Sequence, residues 1–207
     1  MSVDLGFPVL RTTDPAVALR IARRLVGVGG TRHAEVMADV DLPAVDDVLR
    51  ARARWPQAWF TWDGPVMWEQ GELVDPTGLI GGVRGTGLPL DPGLLADHLP
   101  LRMELCDLPL GSIEDDFVAL AARHVGRLHW WNLGWPQVPE LGLHADRKHA
   151  EVTALFNSPT PALQERVDEH TVLVHVRDRD NEAYMLRQAS WVAGQVGLTV
   201  IGDPMRG

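Results

Sequence analysis

Two short stretches of this chain alternate apolar and polar residues and begin on the same four residues. Arg32-His33-Ala34-Glu35-Val36-Met37-Ala38 in the first half is matched by Lys148-His149-Ala150-Glu151-Val152-Thr153-Ala154 in the second. Side chains two apart on an extended chain project to one face, so each stretch reads as a strand with an apolar and a polar side. In the first, Ala34, Val36, Ala38, Val40 and Leu42 oppose His33, Glu35, Met37, Asp39 and Asp41, which predicts a strand over 33–42. In the second, Ala150, Val152, Ala154 and Phe156 oppose His149, Glu151 and Thr153 over 149–156. A base, then His-Ala-Glu-Val, one variable residue and Ala is read as a suspected internal duplication.

The segments around these strands carry their own signals. Thr13-Asp14-Pro15 supplies a cap and a proline at the first helical position, and Val17, Ile21, Leu25 and Val28 share a face, so a helix is expected from about Pro15 to Gly27. Pro43 opens another helix, which stops before Trp55-Pro56. Ala58 to Trp62 and Val66 to Val74 read as a hairpin turning at Asp63-Gly64-Pro65. From Asp75 to Pro92 periodicity is lost among five glycines that begin with Gly78, Gly81 and Gly82, and this run is read as a boundary or functional loop.

Leu101 to Cys106 suggests a short strand, and Ile113 to Arg127 a long helix behind an acidic first turn. His129 to Pro136 is expected to be an aromatic loop. Ser158-Pro159-Thr160-Pro161 starts a short helix, Thr171 to Val176 is a β-branched strand, Glu182 to Val196 a helix, and Leu198 to Ile201 a last strand. The expected fold is therefore α+β (mixed α/β): two pseudo-duplicated helix-strand-helix-strand halves around a mixed sheet. Its divisions are an N-terminal half over 1–74, the Gly/Pro-rich loop over 75–92 and a C-terminal half over 93–207.

Charge and cysteine content narrow the environment. Nineteen Lys and Arg against 28 Asp and Glu leave a net charge of −9, a field that repels phosphate backbones and anionic membrane surfaces. Neither nucleic acid nor membrane is expected as a partner. The single Cys106 rules out an internal disulfide and suits a reducing cytoplasm; its apolar neighbour Leu105 suggests a small core residue. The first eight residues lack the basic start and apolar run of a signal peptide, so a cytoplasmic location is expected.

Polar residues of the paired strands are the first candidates for chemistry. His33 with Glu35, and His149 with Glu151, each set an imidazole and a carboxylate on one strand face, where they can act as acid and base or hold a divalent metal. His144, next to His149 in a histidine-rich region, is the weaker metal alternative, and no cofactor is expected. No His-Glu-x-x-His, nucleophile elbow or phosphate loop is present: the Gly-rich run ends in Leu88-Pro89-Leu90 instead of a helix start. The eight tryptophans are the least average feature of the composition, and Trp130, Trp131 and Trp135, set in a loop, either pack down on the core, as indoles mostly do, or form a partner-binding surface.

Two functions fit these features. The first is a non-catalytic cytosolic binding protein, an acidic inhibitor or immunity-type protein that meets a protein partner through its Trp-rich surface. The second is a small-molecule enzyme with a His/Glu site, metal-dependent or not, between two related halves. Each treats the repeated strands as architecture first.

Overall fold

The computed structural model describes residues 3–63, 80–145, 150–178 and 181–206. Among them are five α-helices and nine strands, a mixed α+β architecture. The chain begins β1 (Val3–Thr12), α1 (Pro15–Val26), β2 (Glu35–Leu42), α2 (Val45–Arg54) and β3 (Trp59–Asp63). It continues β4 (Ile80–Arg84), α3 (Pro92–Ala96), β5 (Leu101–Pro109), α4 (Glu114–Ala121) and β6 (Gly126–Leu133). It closes with β7 (Ala150–Phe156), β8 (His170–Asp178), α5 (Glu182–Gln195) and β9 (Met205–Arg206). One compact unit comprises Met1–Met37 and Asp107–Gly207, the other Ala38–Cys106.

In the first unit the strands run in the order β6-β7-β8-β1-β9, each paired antiparallel with its neighbours. β8 is buried along His170–Val176, as its β-branched run requires of a strand covered on both faces. β1 lies along it from Val3↔Asp178 to Thr12↔His170, with a register shift between Pro8 and Leu10, where proline offers no N–H to the ladder. The register row Trp130, Val152, Val174 and Phe7 fixes one face of this sheet. On that side Trp130 donates from Nε1 to Glu114 of α4, and α1 packs against α4 and against β7 and β8. Asp14 caps α1 by accepting from the Ala16 and Val17 N–H groups, and Ala18, Ala22 and Leu25 are its fully buried face. The opposite sheet face carries Leu155 and Leu173, packed under Leu163, and beside them a row of polar residues.

The second unit orders its strands β4-β3-β5-β2 and contains α2 and α3. Val40, Val48, Phe60, Leu95, Leu101 and Met103 are fully buried and form its core. Arg102 grips Asp41 with Nε at 2.7 Å and Nη2 at 3.2 Å; that pairing, together with the acids around it, raises the guanidinium pKa.

The helix at Pro15 and the strands through Val36, Val152 and Val174 lie where periodicity predicts them. Other segments differ. The long helix expected to reach Arg127 ends at Ala121, because Gly126 onward alternates Leu128 and Trp130 inward against Arg127, His129 and Trp131 and joins β7 as β6. The segment read as an aromatic loop is therefore largely strand. The short helix expected at Ser158–Pro161 does not form, nor does a strand at Leu198–Ile201, where the Ile201 N–H donates to Pro8 O. Unexpectedly, Ile80–Arg84 pairs with β3; a Cβ on Gly87 would come within 2.6 Å of Val83 Cγ2, so this glycine serves close packing. Cys106 is exposed, not core. The expected strand over 66–74, Trp68 and Gly78 lie outside the described residues.

Candidate functional site

The polar row on the first unit's second sheet face is built from four strands. His175 stands at its centre, directly opposite Glu151 on one side and Gly6 on the other. It is 4% exposed. Its ring occupies the space that the absent side chain of Gly6 leaves: a Cβ there would sit 2.9 Å from His175 Cε1. Thr153, on the same face two residues beyond Glu151, brings its Oγ1 to 3.0 Å from His175 Nε2.

β6 adds His129, which donates from Nε2 to Glu151 Oε2 at 2.9 Å. The two rings, His129 and His175, stack with centroids 6.0 Å apart and planes 28° apart. From β1, Asp4 places Oδ1 at 3.7 Å from His175 Nδ1, a charge-pair distance too long for a hydrogen bond. Both of those atoms are buried and neither has a hydrogen-bond partner. An unsatisfied buried polar atom costs about 1–3 kcal/mol, so two facing each other mark a place the fold does not complete by itself.

Asp4, Glu151 and His175 each offer a donor atom, and the three atoms lie within 4.8 Å of one another. One imidazole nitrogen and two carboxylates are a donor set that zinc and its first-row neighbours accept. The site is polar but not open: the Glu151 and His129 side chains are 19% and 22% exposed. Such a half-buried carboxylate–imidazole pair can move a proton to or from a bound molecule.

Of the residues expected from sequence, Glu151 is in this cluster. His149 lies outside the described residues. His33 is exposed in a turn and lines a different hollow of about 270 Å³, with Arg32, Asn132 and Trp135 among its walls. Glu35 is half-buried at the start of β2. His144 is exposed and stacks on Tyr184, whose hydroxyl accepts its backbone N–H. Trp130 and Trp135 are each 1% exposed, with indole N–H groups spent on Glu114 and on the His175 carbonyl; they pack the interior and present no face to a partner. Trp131 is half-buried.

Sequence reasoning passed over Asp4, Thr153 and His175 as site residues and counted His129 only as one of a histidine group. Signals for two of them exist. Leu5, Phe7 and Val9 alternate with Asp4 and Gly6, the mark of a strand with a polar face, and His175 is the one ionisable residue inside the apolar run Val172–Val176. Comparison of the chain with protein-family models, curated proteins and solved structures finds no match. No helix among the described residues is long and apolar enough to cross a membrane.

Proposed function

We propose that this protein is an enzyme acting on a small polar molecule, with the hydrogen-bonded His129–Glu151 pair as its proton-transferring group. The observation that carries this reading is the 2.9 Å contact between His129 and Glu151 on a sheet face where His175 and Asp4 hold unmatched polar atoms. Strand positions of this kind normally bury apolar groups or leave polar ones to water. Here they are half-closed and polar, a condition in which a bound molecule loses its water.

A panel of chromogenic carboxylic-ester, amide and phosphate-ester compounds tests the proposal. Turnover by the wild type that falls about 10²–10⁴-fold in Glu151→Gln, with substrate still bound, is expected of a lost acid–base group. Equal turnover in Glu151→Gln would remove Glu151 from the chemistry.

The binding-protein reading, an acidic inhibitor or immunity-type molecule with a basic protein partner, has less support. Its indole surface loses Trp130 and Trp135 to the interior, leaving Trp131 of the three. Its remaining basis is the net charge of −9, and association that slows steeply with added salt would favour it. We read the repeated His-Ala-Glu-Val as two strands of similar make in which one copy carries a site. Among the described residues only Glu151 of the two glutamates belongs to a cluster of metal-ligating groups.

A further inference from the structure

We infer that Asp4, Glu151 and His175 bind a divalent first-row transition-metal ion, with Nδ1 of His175 as the nitrogen ligand and one oxygen from each carboxylate. This rests on the reading of the cluster as a functional site and gives that site its cofactor. A pair of unpartnered buried atoms points to it first. His175 is 4% exposed and its Nδ1 is buried without a partner, facing the equally unpartnered Asp4 Oδ1 at 3.7 Å. Two donors on one tetrahedral ion with bonds of ~2.1 Å lie about 3.4 Å apart, so these two atoms already stand near the separation that an ion imposes.

The tautomer of His175 points the same way. Nε2 of His175 is in contact with Thr153 Oγ1 at 3.0 Å, and Thr153 is itself 2% exposed. With the proton on Nε2 donated to that hydroxyl, Nδ1 carries a bare lone pair aimed at Asp4. A metal-ligating histidine is commonly held this way, by a hydrogen bond from its second ring nitrogen. His129 likewise orients Glu151, donating to Oε2 at 2.9 Å, and a carboxylate atom of Glu151 lies within 4.8 Å of the Asp4 and His175 donor atoms. Gly6 supplies the room, since any Cβ would lie against the imidazole edge.

The donor types choose the ion. An imidazole disfavours calcium and magnesium, and the absence of thiolate from the set suits zinc, manganese or ferrous iron as well as it suits cobalt as a probe. Three protein donors leave a position open for water or substrate, the arrangement of catalytic and not of structural zinc.

Calorimetric titration of the chelator-treated full chain with Zn²⁺, and optical titration with Co²⁺, test the site. One equivalent of Zn²⁺ is expected, with no competition from Mg²⁺ in excess, and Co²⁺ should develop visible d–d bands. Asp4→Asn and Glu151→Gln, near-isosteric and at partly exposed side chains, should each weaken Zn²⁺ at least tenfold while melting cooperatively without metal. Thr153→Val, acting only through the ring of His175, should weaken it about 10–100-fold. His144→Ala, at an exposed residue stacked on Tyr184, should bind as the wild type does. Absence of stoichiometric Zn²⁺ binding, unchanged affinity in both Asp4→Asn and Glu151→Gln, or loss of binding in His144→Ala would overturn the assignment. Turnover that survives chelation yet disappears in Glu151→Gln would remove the metal and leave the enzyme. Stoichiometric Zn²⁺ without turnover would remove the enzyme and leave the metal.

Discussion

Gly6 is the residue on which the geometry of the cluster turns. A glycine inside a strand ordinarily costs about 0.5–1 kcal/mol relative to alanine, so Gly6→Ala would stabilise an open strand. Here the added Cβ meets the His175 ring at 2.9 Å, and the ring is held from behind by Thr153. Overpacking of this sort costs about 1–3 kcal/mol, which exceeds the propensity gain. Gly6→Ala is therefore expected to lower stability in urea denaturation and to abolish Zn²⁺ binding; a more stable variant with intact binding would show that the ring is free to move aside.

A second histidine gives the protein a pH dependence. His170 is 3% exposed and its Nδ1 accepts the Asn157 N–H at 3.2 Å, so that nitrogen has to be bare. Burial holds its pKa below the ordinary value of 6.5. As pH falls through that value the unfolded chain gains a proton that the folded chain refuses, so stability declines; above it both states are neutral and the residue contributes no slope. Urea midpoints at about pH 8 and about pH 5.5 should show the decline, and His170→Gln should flatten it.

At the scale of elements, α4 is held by polar groups that local sequence rules describe incompletely. Acids in a first helical turn suggest a dipole effect, and Asp115 fits it: exposed, and paired with Arg23, whose hydrogen bonds lower its pKa. Glu114 differs. It is 2% exposed and accepts from Gly111 N–H, Ile113 N–H and the Trp130 indole, tying the helix start to β6. At the other end Asn157, in the left-handed region at φ 52°, points Nδ2 at the carbonyls of Ala121, Ala122 and His124. Trp130→Phe removes the indole donor and should cost about 1–3 kcal/mol, as should Asn157→Asp, which replaces an amide donor with an acceptor. Chemical denaturation of each variant measures this.

These contacts also mark where legibility ends. Asp14-Pro15 encodes a helix start within a few residues, and the β-branched Thr171–Val176 run encodes a buried strand, so both were readable. Trp130 and Trp135 resemble surface-loop tryptophans in the sequence because their partners, Glu114 and the β8 backbone, are distant in the chain.

Across the whole molecule, the cluster joins the beginning of the chain to its second half: Asp4 comes from β1, and His129, Glu151 and His175 from β6, β7 and β8. The repeated tetrapeptide pointed to Glu151 and not to its neighbours, because cross-strand register is a tertiary fact: no local pattern states that Gly6 and Glu151 flank His175. The unit Met1–Met37 with Asp107–Gly207 is discontinuous, and β8 pairs with β1 over nearly its whole length. A fragment starting at residue 107 leaves that edge of β8 bare, and is expected to lose cooperative melting.

The proposed function requires that this polar cluster exist for chemistry and not for folding. Residues kept for function cost stability, while a satisfied structural network contributes to it. The direct measurement is calorimetric melting, in chelator, of a variant carrying Asp4→Leu, His129→Leu, Glu151→Leu, Thr153→Val and His175→Leu together, which replaces both sides of the His129–Glu151 and His175–Thr153 contacts and the facing Asp4 with apolar groups. A melting temperature equal to or above that of the wild type, with turnover and Zn²⁺ binding gone, is the predicted result. A clearly lower melting temperature would contradict the account and return the cluster to a structural role.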